Sequence, residues 1–166
     1  MLELFAEELE KQGVKCLSVF VNENDQLDIN YLGNPSQIII DKVNEIKTNM
    51  PFIFAKKLKL QAIENQWQEA LETGWDSGQG HLGLKAEDVA LLAGNFALAK
   101  ESAALGGPIP PLVTEENNII TFNTIHDLTM LMLAYGQARS MLSVEFAEKR
   151  KAVQNATTIQ ELEAIP

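Results

Sequence analysis

The apolar positions repeat with two different periods along the chain. Leu2, Phe5, Ala6 and Leu9 recur at helical spacing, which predicts a short helix over residues 2–12 with Gly13 as its C-cap. Residues 14–22 (VKCLSVFVN) are rich in Val, Leu and Phe, a strand composition. Asn24-Asp25 supplies turn chemistry, and residues 26–32 alternate Leu27, Ile29 and Tyr31 against Asp28 and Asn30. The expectation is an N-terminal β-hairpin, 14–22 with 26–32, which needs a cover because an isolated hairpin is marginal.

Asn34-Pro35 predicts the start of the next helix, Asn as N-cap and Pro in the first turn. Ile39, Val43, Ile46 and Met50 follow at helical spacing, and Leu60, Ile63, Trp67 and Leu71 continue it. Pro51 lies between the two runs, so 35–50 and 53–73 are two helices or one bent helix. A glycine-rich connection, 74–84, leads to an Ala- and Leu-rich helix from Ala86 to Leu105. Gly106-Gly107-Pro108 breaks that helix, and Leu112-Val113 with residues 119–122 predicts a short hairpin around Asn117-Asn118. Thr124 with Asp127 predicts a capping box at the start of a helix over 124–155, and Thr158 with Glu161 a second box for a tail helix. The fold class expected is therefore α+β and predominantly helical, with an N-terminal β-hairpin and a long C-terminal helix. Residues 1–50 are expected to form one part and 51–166 a second, helical part.

Composition narrows the chemistry. The 166 residues carry 13 Lys and Arg against 23 Asp and Glu, a net charge of −10. That balance argues against nucleic-acid or anionic-membrane binding, both of which need clustered cations. Lys56, Lys57 and Lys59 are too few for a nucleic-acid footprint. The single cysteine, Cys16, excludes an internal disulfide, and mid-strand it reads as a small hydrophobe. The acidic start, MLELFAEELE, lacks the charge pattern of a secretory leader, and no apolar run reaches the roughly 18 residues of a membrane span.

Three constellations invite a functional reading. Gly78-Gln79-Gly80-His81-Leu82-Gly83 matches G-x-G-x-x-G literally. A dinucleotide fold would require a parallel strand before it, and the preceding segment has helical period. The expectation is a loop or hairpin without nucleotide. The two histidines, His81 and His126, do not supply the four ligands a zinc site needs. No nucleophile elbow is present, so no catalytic residue, metal or cofactor is predicted. The stripe Leu128, Met132, Tyr135, Leu142 and Phe146 lies on a helix of roughly 48 Å, against a radius of gyration of about 15 Å for a compact chain of this size. Core burial and an intersubunit seam both fit that stripe, and the length of the helix favours reading it as an oligomer interface.

The segments DVALLAGNFALAKESAAL (88–105), Ile120-Thr121-Phe122 and 128–165 resemble a domain of unknown function found in tailed-phage genomes. That family is similar in order: an Ala-rich helix, a short strand and a helix opening near Leu-Thr. An Arg/Lys-rich helix end (Lys149-Arg150-Lys151), an Ala-Thr joint (Ala156-Thr157) and a tail helix with Glu161-Leu162 complete the likeness. It spans roughly residues 55–166 and carries no catalytic residues. It implies a non-enzymatic component of the virion tail (fibre or baseplate) or a tail-fibre assembly chaperone, found in the virion or in the host cytoplasm during assembly. The implied partner is a tail-fibre or baseplate protein. The alternative from another class is a small cytosolic ligand-binding or regulatory protein using the 78–83 loop.

Overall fold

The computed structural model describes residues 1–24, 26–31 and 33–166. The expected turn position Asp25 and strand end Leu32 lie outside the described residues. The fold is α+β and mostly helical, with small antiparallel hairpins and a long C-terminal helix. The chain divides into two compact units, Met1–Leu60 with Ala152–Pro166, and Gln61–Lys151. The division thus lies ten residues beyond the expected 50/51 boundary, and the last residues group with the first.

In the first unit, α1 (Leu2–Lys11) buries Leu4, Phe5 and Leu9. Leu2 was expected on that face, but it is exposed and Leu4 takes its place. Gly13 follows the helix at φ 72, a left-handed conformation that glycine adopts without a Cβ penalty. β1 (Cys16–Val21) pairs antiparallel with β2 (Leu27–Tyr31), with an irregularity between Cys16 and Ser18. The Asn22 side chain organises the connection by accepting the N–H groups of Asn24 at 3.0 Å and Gln26 at 3.1 Å. Lys47 closes onto Asp28 at 2.8 Å and, by that hydrogen bond, holds the carboxyl below its usual range. Ile29 of β2 packs with α1 and with Val43, Ile46 and Met50 of α2, so the hairpin is covered by helices of its own chain.

Helix α2 runs unbroken from Gln37 to Thr73, with Pro51 inside it. A mid-helix proline costs about 3 kcal/mol or more. Here Val43, Ile46 and Met50 before it and Ile53 and Phe54 after it continue one apolar stripe into the same core. Burial of that stripe offsets the cost, which local sequence reading cannot weigh. The helix also starts later than expected: Ser36, rather than Asn34, offers its carbonyl to the N–H groups of Ile39 and Ile40. Lys56 and Lys59 donate to backbone carbonyls of Gln154, Ala156 and Ile165. This part of the basic cluster therefore satisfies carbonyls at a helix end and in the tail, where cations are favoured. The tail helix α5 (Ile159–Glu163) is capped by Thr158 and Glu161 as predicted. N–H groups of Thr157 and Thr158 hold the Glu161 carboxyl below its usual range.

The second unit is built on α3 (Ala86–Ala104) and α4 (Ile125–Asn155, of which residues to Lys151 belong here). The predicted box at the start of α4 is present: Thr124 N–H donates to Asp127 Oδ2 at 2.9 Å, and Asp127 N–H to Thr124 Oγ1 at 3.2 Å. Two short hairpins complete the unit, β3 (Trp75–Asp76) with β4 (His81–Leu82), and β5 (Leu112–Val113) with β6 (Ile119–Ile120). One core joins Leu71, Leu82, Leu92, Ala99, Leu112, Ile120, Leu128 and Tyr135.

Candidate functional site

The most densely organised surface of the second unit is where the two short hairpins meet α3. Gly74 ends α2 at φ 76, and a Cβ there would lie 2.7 Å from the Leu82 carbonyl oxygen. Glycine is therefore required twice, for its backbone conformation and for the close approach of β4. The β3–β4 turn is closed by side chains: Gly78 N–H donates to Asp76 Oδ1 at 2.7 Å, and Ser77 Oγ donates to the Gly80 carbonyl at 2.7 Å. In the other hairpin Thr114 Oγ1 accepts from Asn118 N–H at 3.1 Å, and Asn117 takes the left-handed conformation at φ 63 that asparagine tolerates.

The hairpins are joined tip to tip. Glu115 N–H donates to the His81 carbonyl at 2.9 Å, and Asn118 Nδ2 to the Gln79 carbonyl at 3.2 Å. His81 donates its backbone N–H to Glu116 Oε2 at 2.9 Å, and its Nδ1 lies 2.5 Å from Glu116 Oε1. The hydrogen bond to Glu116 raises the imidazole above its ordinary value. The same bond, with the backbone N–H, lowers Glu116 to about 2. This latch is solvent-exposed, so it sets local order more than global stability.

The literal G-x-G-x-x-G now has a structural explanation. Gly78 sits at φ 79 in the turn, and Gly80 at φ 130 leaves no room for a Cβ beside Thr114 Oγ1 and Glu116 Oε2, each 2.7 Å away. At Gly83 a Cβ would meet the carboxylates of Asp88 and Glu115. The hairpin is antiparallel, where a dinucleotide loop would need a parallel strand before it, and the Asp88 and Glu115 carboxylates lie against Gly83. Tyr135 of α4 donates its hydroxyl to the Gly83 carbonyl at 2.6 Å, and burial, then the Asp88 charge, pushes its own ionisation up. Beside Gly83 a groove of about 250 Å³ opens between α3 and β5.

The residues expected at an oligomer interface are core residues. Leu128, Tyr135 and Phe146 are buried within the second unit, and Met132 and Leu142 pack partly buried against its core. Phe146 meets Trp67 edge-on at 5.2 Å, and Arg139 lies over the same indole at 4.9 Å. Leu128, Met132, Tyr135 and Leu142 share a core with α3, the two short hairpins and the end of α2. The exposed apolar residues lie elsewhere. Leu91 and Leu98 of α3 and its C-cap residue Leu105 project outward at seven-residue spacing, 65%, 64% and 89% exposed. Met130, Leu133, Met141 and Val144 are exposed on α4, and Val113 and Ile119 on the hairpin. The helical period predicts a helix for these leucines but not which of its faces turns outward. The signal was their seven-residue recurrence, one position ahead of buried Leu92 and Ala99.

His126 is exposed at the start of α4 and Cys16 is a half-buried free thiol. Among the described residues no cluster of three metal-ligating side chains forms, and no helix is long and apolar enough to cross a membrane. No known protein family, curated protein or solved structure matches this chain.

Proposed function

We propose that the chain is a non-enzymatic, phage tail-associated protein acting through protein–protein contacts. It serves as a virion component of the fibre or baseplate, or as a tail-fibre assembly chaperone. Two independent lines support this reading. The resemblance of residues 55–166 points to tail loci. The observation that carries the contact function is the outward face of α3, where Leu91, Leu98 and Leu105 stay exposed while the neighbouring face packs the core. Exposed large apolar residues in a row mark an interaction surface, whereas single ones need no explanation. The oligomer contact expected of α4 moves in this reading to the outward leucines of α3.

Mass spectrometry of purified particles of the encoding phage separates the two roles. Stoichiometric presence is expected of a virion component. Absence from particles, with copurification alongside a co-expressed fibre protein, is expected of a chaperone. Absence from both would contradict the proposal.

A further inference from the structure

The groove between α3 and β5 has apolar walls and an acidic end. Leu92 and Leu112 are buried at its base, while Leu91 and Val113 stand on its rim at 65% and 60% exposure. At the end beside Gly83, Asp88 arrives from the first turn of α3 and Glu115 from the β5–β6 turn. One Asp88 oxygen accepts the Lys85 N–H at 3.0 Å. Among the described residues neither carboxylate takes part in an ion pair, and the Lys85 ammonium faces Glu72 at 3.6 Å instead. Both carboxylates border Gly83: Asp88 is half-buried and caps α3 through the oxygen nearest that glycine, and Glu115 is exposed. The surrounding segment, 76–120, carries only two lysines against six acids.

We propose that this groove docks a partner-protein segment in which an arginine is flanked by leucine-like residues. The guanidinium spans the two carboxylates, a planar donor set suited to paired oxygens. Its aliphatic stem lies along Leu91, and the neighbouring apolar side chain covers Val113. A second copy of this chain is a poor occupant of the same face. The outward leucines of α3 are bordered by Glu87 and Glu101, so two such faces repel. The inference rests on the contact reading above for its claim that a protein occupies this face, and names the chemistry of that partner.

The test is titration of the full, isotopically labelled chain, followed by amide NMR. The probes are the capped peptide Leu-Arg-Leu-Leu-Arg-Leu, its counterparts with glutamine or glutamate for arginine, and capped arginine alone. The arginine peptide is expected to shift the amides of Gly83, Leu91 and Val113 in a saturable way. The glutamine peptide and the single arginine are each expected to bind at least about tenfold more weakly, the scale of one charged hydrogen bond. Glu115 is exposed, so Glu115→Lys should keep its urea midpoint while reversing preference toward the glutamate peptide. Equal binding of the arginine and glutamine peptides, shifts confined to other amides, or no shift at millimolar peptide would overturn the proposal. So would equal binding of single arginine, the mark of a small-cation pocket, or the same amides shifting when the protein alone is concentrated. Copurification with fibre proteins that survives Glu115→Lys would overturn the groove assignment and leave the tail reading standing. Peptide binding without any tail partner would do the reverse.

Discussion

The first hairpin and the two later ones hold together by different means. β1–β2 has a ladder of five paired positions and a helical cover, so its order comes from repeated backbone bonds and apolar burial. β3–β4 and β5–β6 have two paired positions each. Two-rung ladders are too short to persist alone. Leu82, Leu112 and Ile120 anchor them in the second core, and single contacts fix the rest: a glycine against a carbonyl, Tyr135 on Gly83, and His81 on Glu116. The first hairpin should therefore tolerate local change and fail with its core. The later pair should be sensitive at particular atoms.

The largest effects break the two cores. Phe5→Ala empties a fully buried site in the first unit and should cost about 3–5 kcal/mol, as should Phe146→Ala in the second. Urea unfolding gives the magnitude. Hydrogen exchange should place the Phe5 loss in residues 1–60 and 152–166 and the Phe146 loss in 61–151.

Next comes a matched pair of glycines. Gly13 and Gly74 have nearly the same φ, 72 and 76, but only Gly74 has backbone against its missing Cβ. Gly13→Ala should cost about 1 kcal/mol, the conformational penalty alone. Gly74→Ala adds steric overlap and should cost roughly 2–4 kcal/mol. Equal urea midpoints would show that β4 moves aside freely.

Tyr135→Phe removes the buried bond to the Gly83 carbonyl and should cost about 1–3 kcal/mol. The loss should appear as faster exchange around Gly83, with β1–β2 unchanged.

The smallest effect is the pH response of the latch. His81 is raised in the folded state, so its contribution is full below its unfolded value near 6.5 and is lost as pH climbs through the raised value. Glu116 is lowered to about 2, so its contribution is full above its unfolded value near 4.5 and is lost as pH falls toward 2. Protection of the hairpin-tip amides should therefore be greatest between these limits. His81→Gln should flatten the alkaline arm as read by NMR, and a persistent arm would assign the titration elsewhere.

What could be read along the chain follows the same contrast. Both capping boxes, the hairpin of residues 14–31 and the helical periods depend on neighbours in sequence, and the chain shows them directly. The passage of α2 through Pro51 depends on apolar residues meeting a core from both sides of the proline. The fate of Leu128, Tyr135 and Phe146 depends on whether distant elements cover them, which periodicity does not reveal. The 78–83 glycines look like a phosphate loop until Asp88 and Glu115 are seen crowding Gly83. The groove was illegible for that reason, since its two carboxylates are 27 residues apart and meet only through the hairpin packing.

The central claim is that α3 and the groove face outward to a partner while the α4 stripe is internal. Its most direct test is copurification of the chain with co-expressed proteins from the neighbouring tail genes, comparing Leu91→Ser/Leu98→Ser/Leu105→Ser with the unaltered protein. The triple variant should keep its thermal midpoint, because these side chains are already exposed, and lose the partner. Retention of the partner by a folded triple variant would contradict the account.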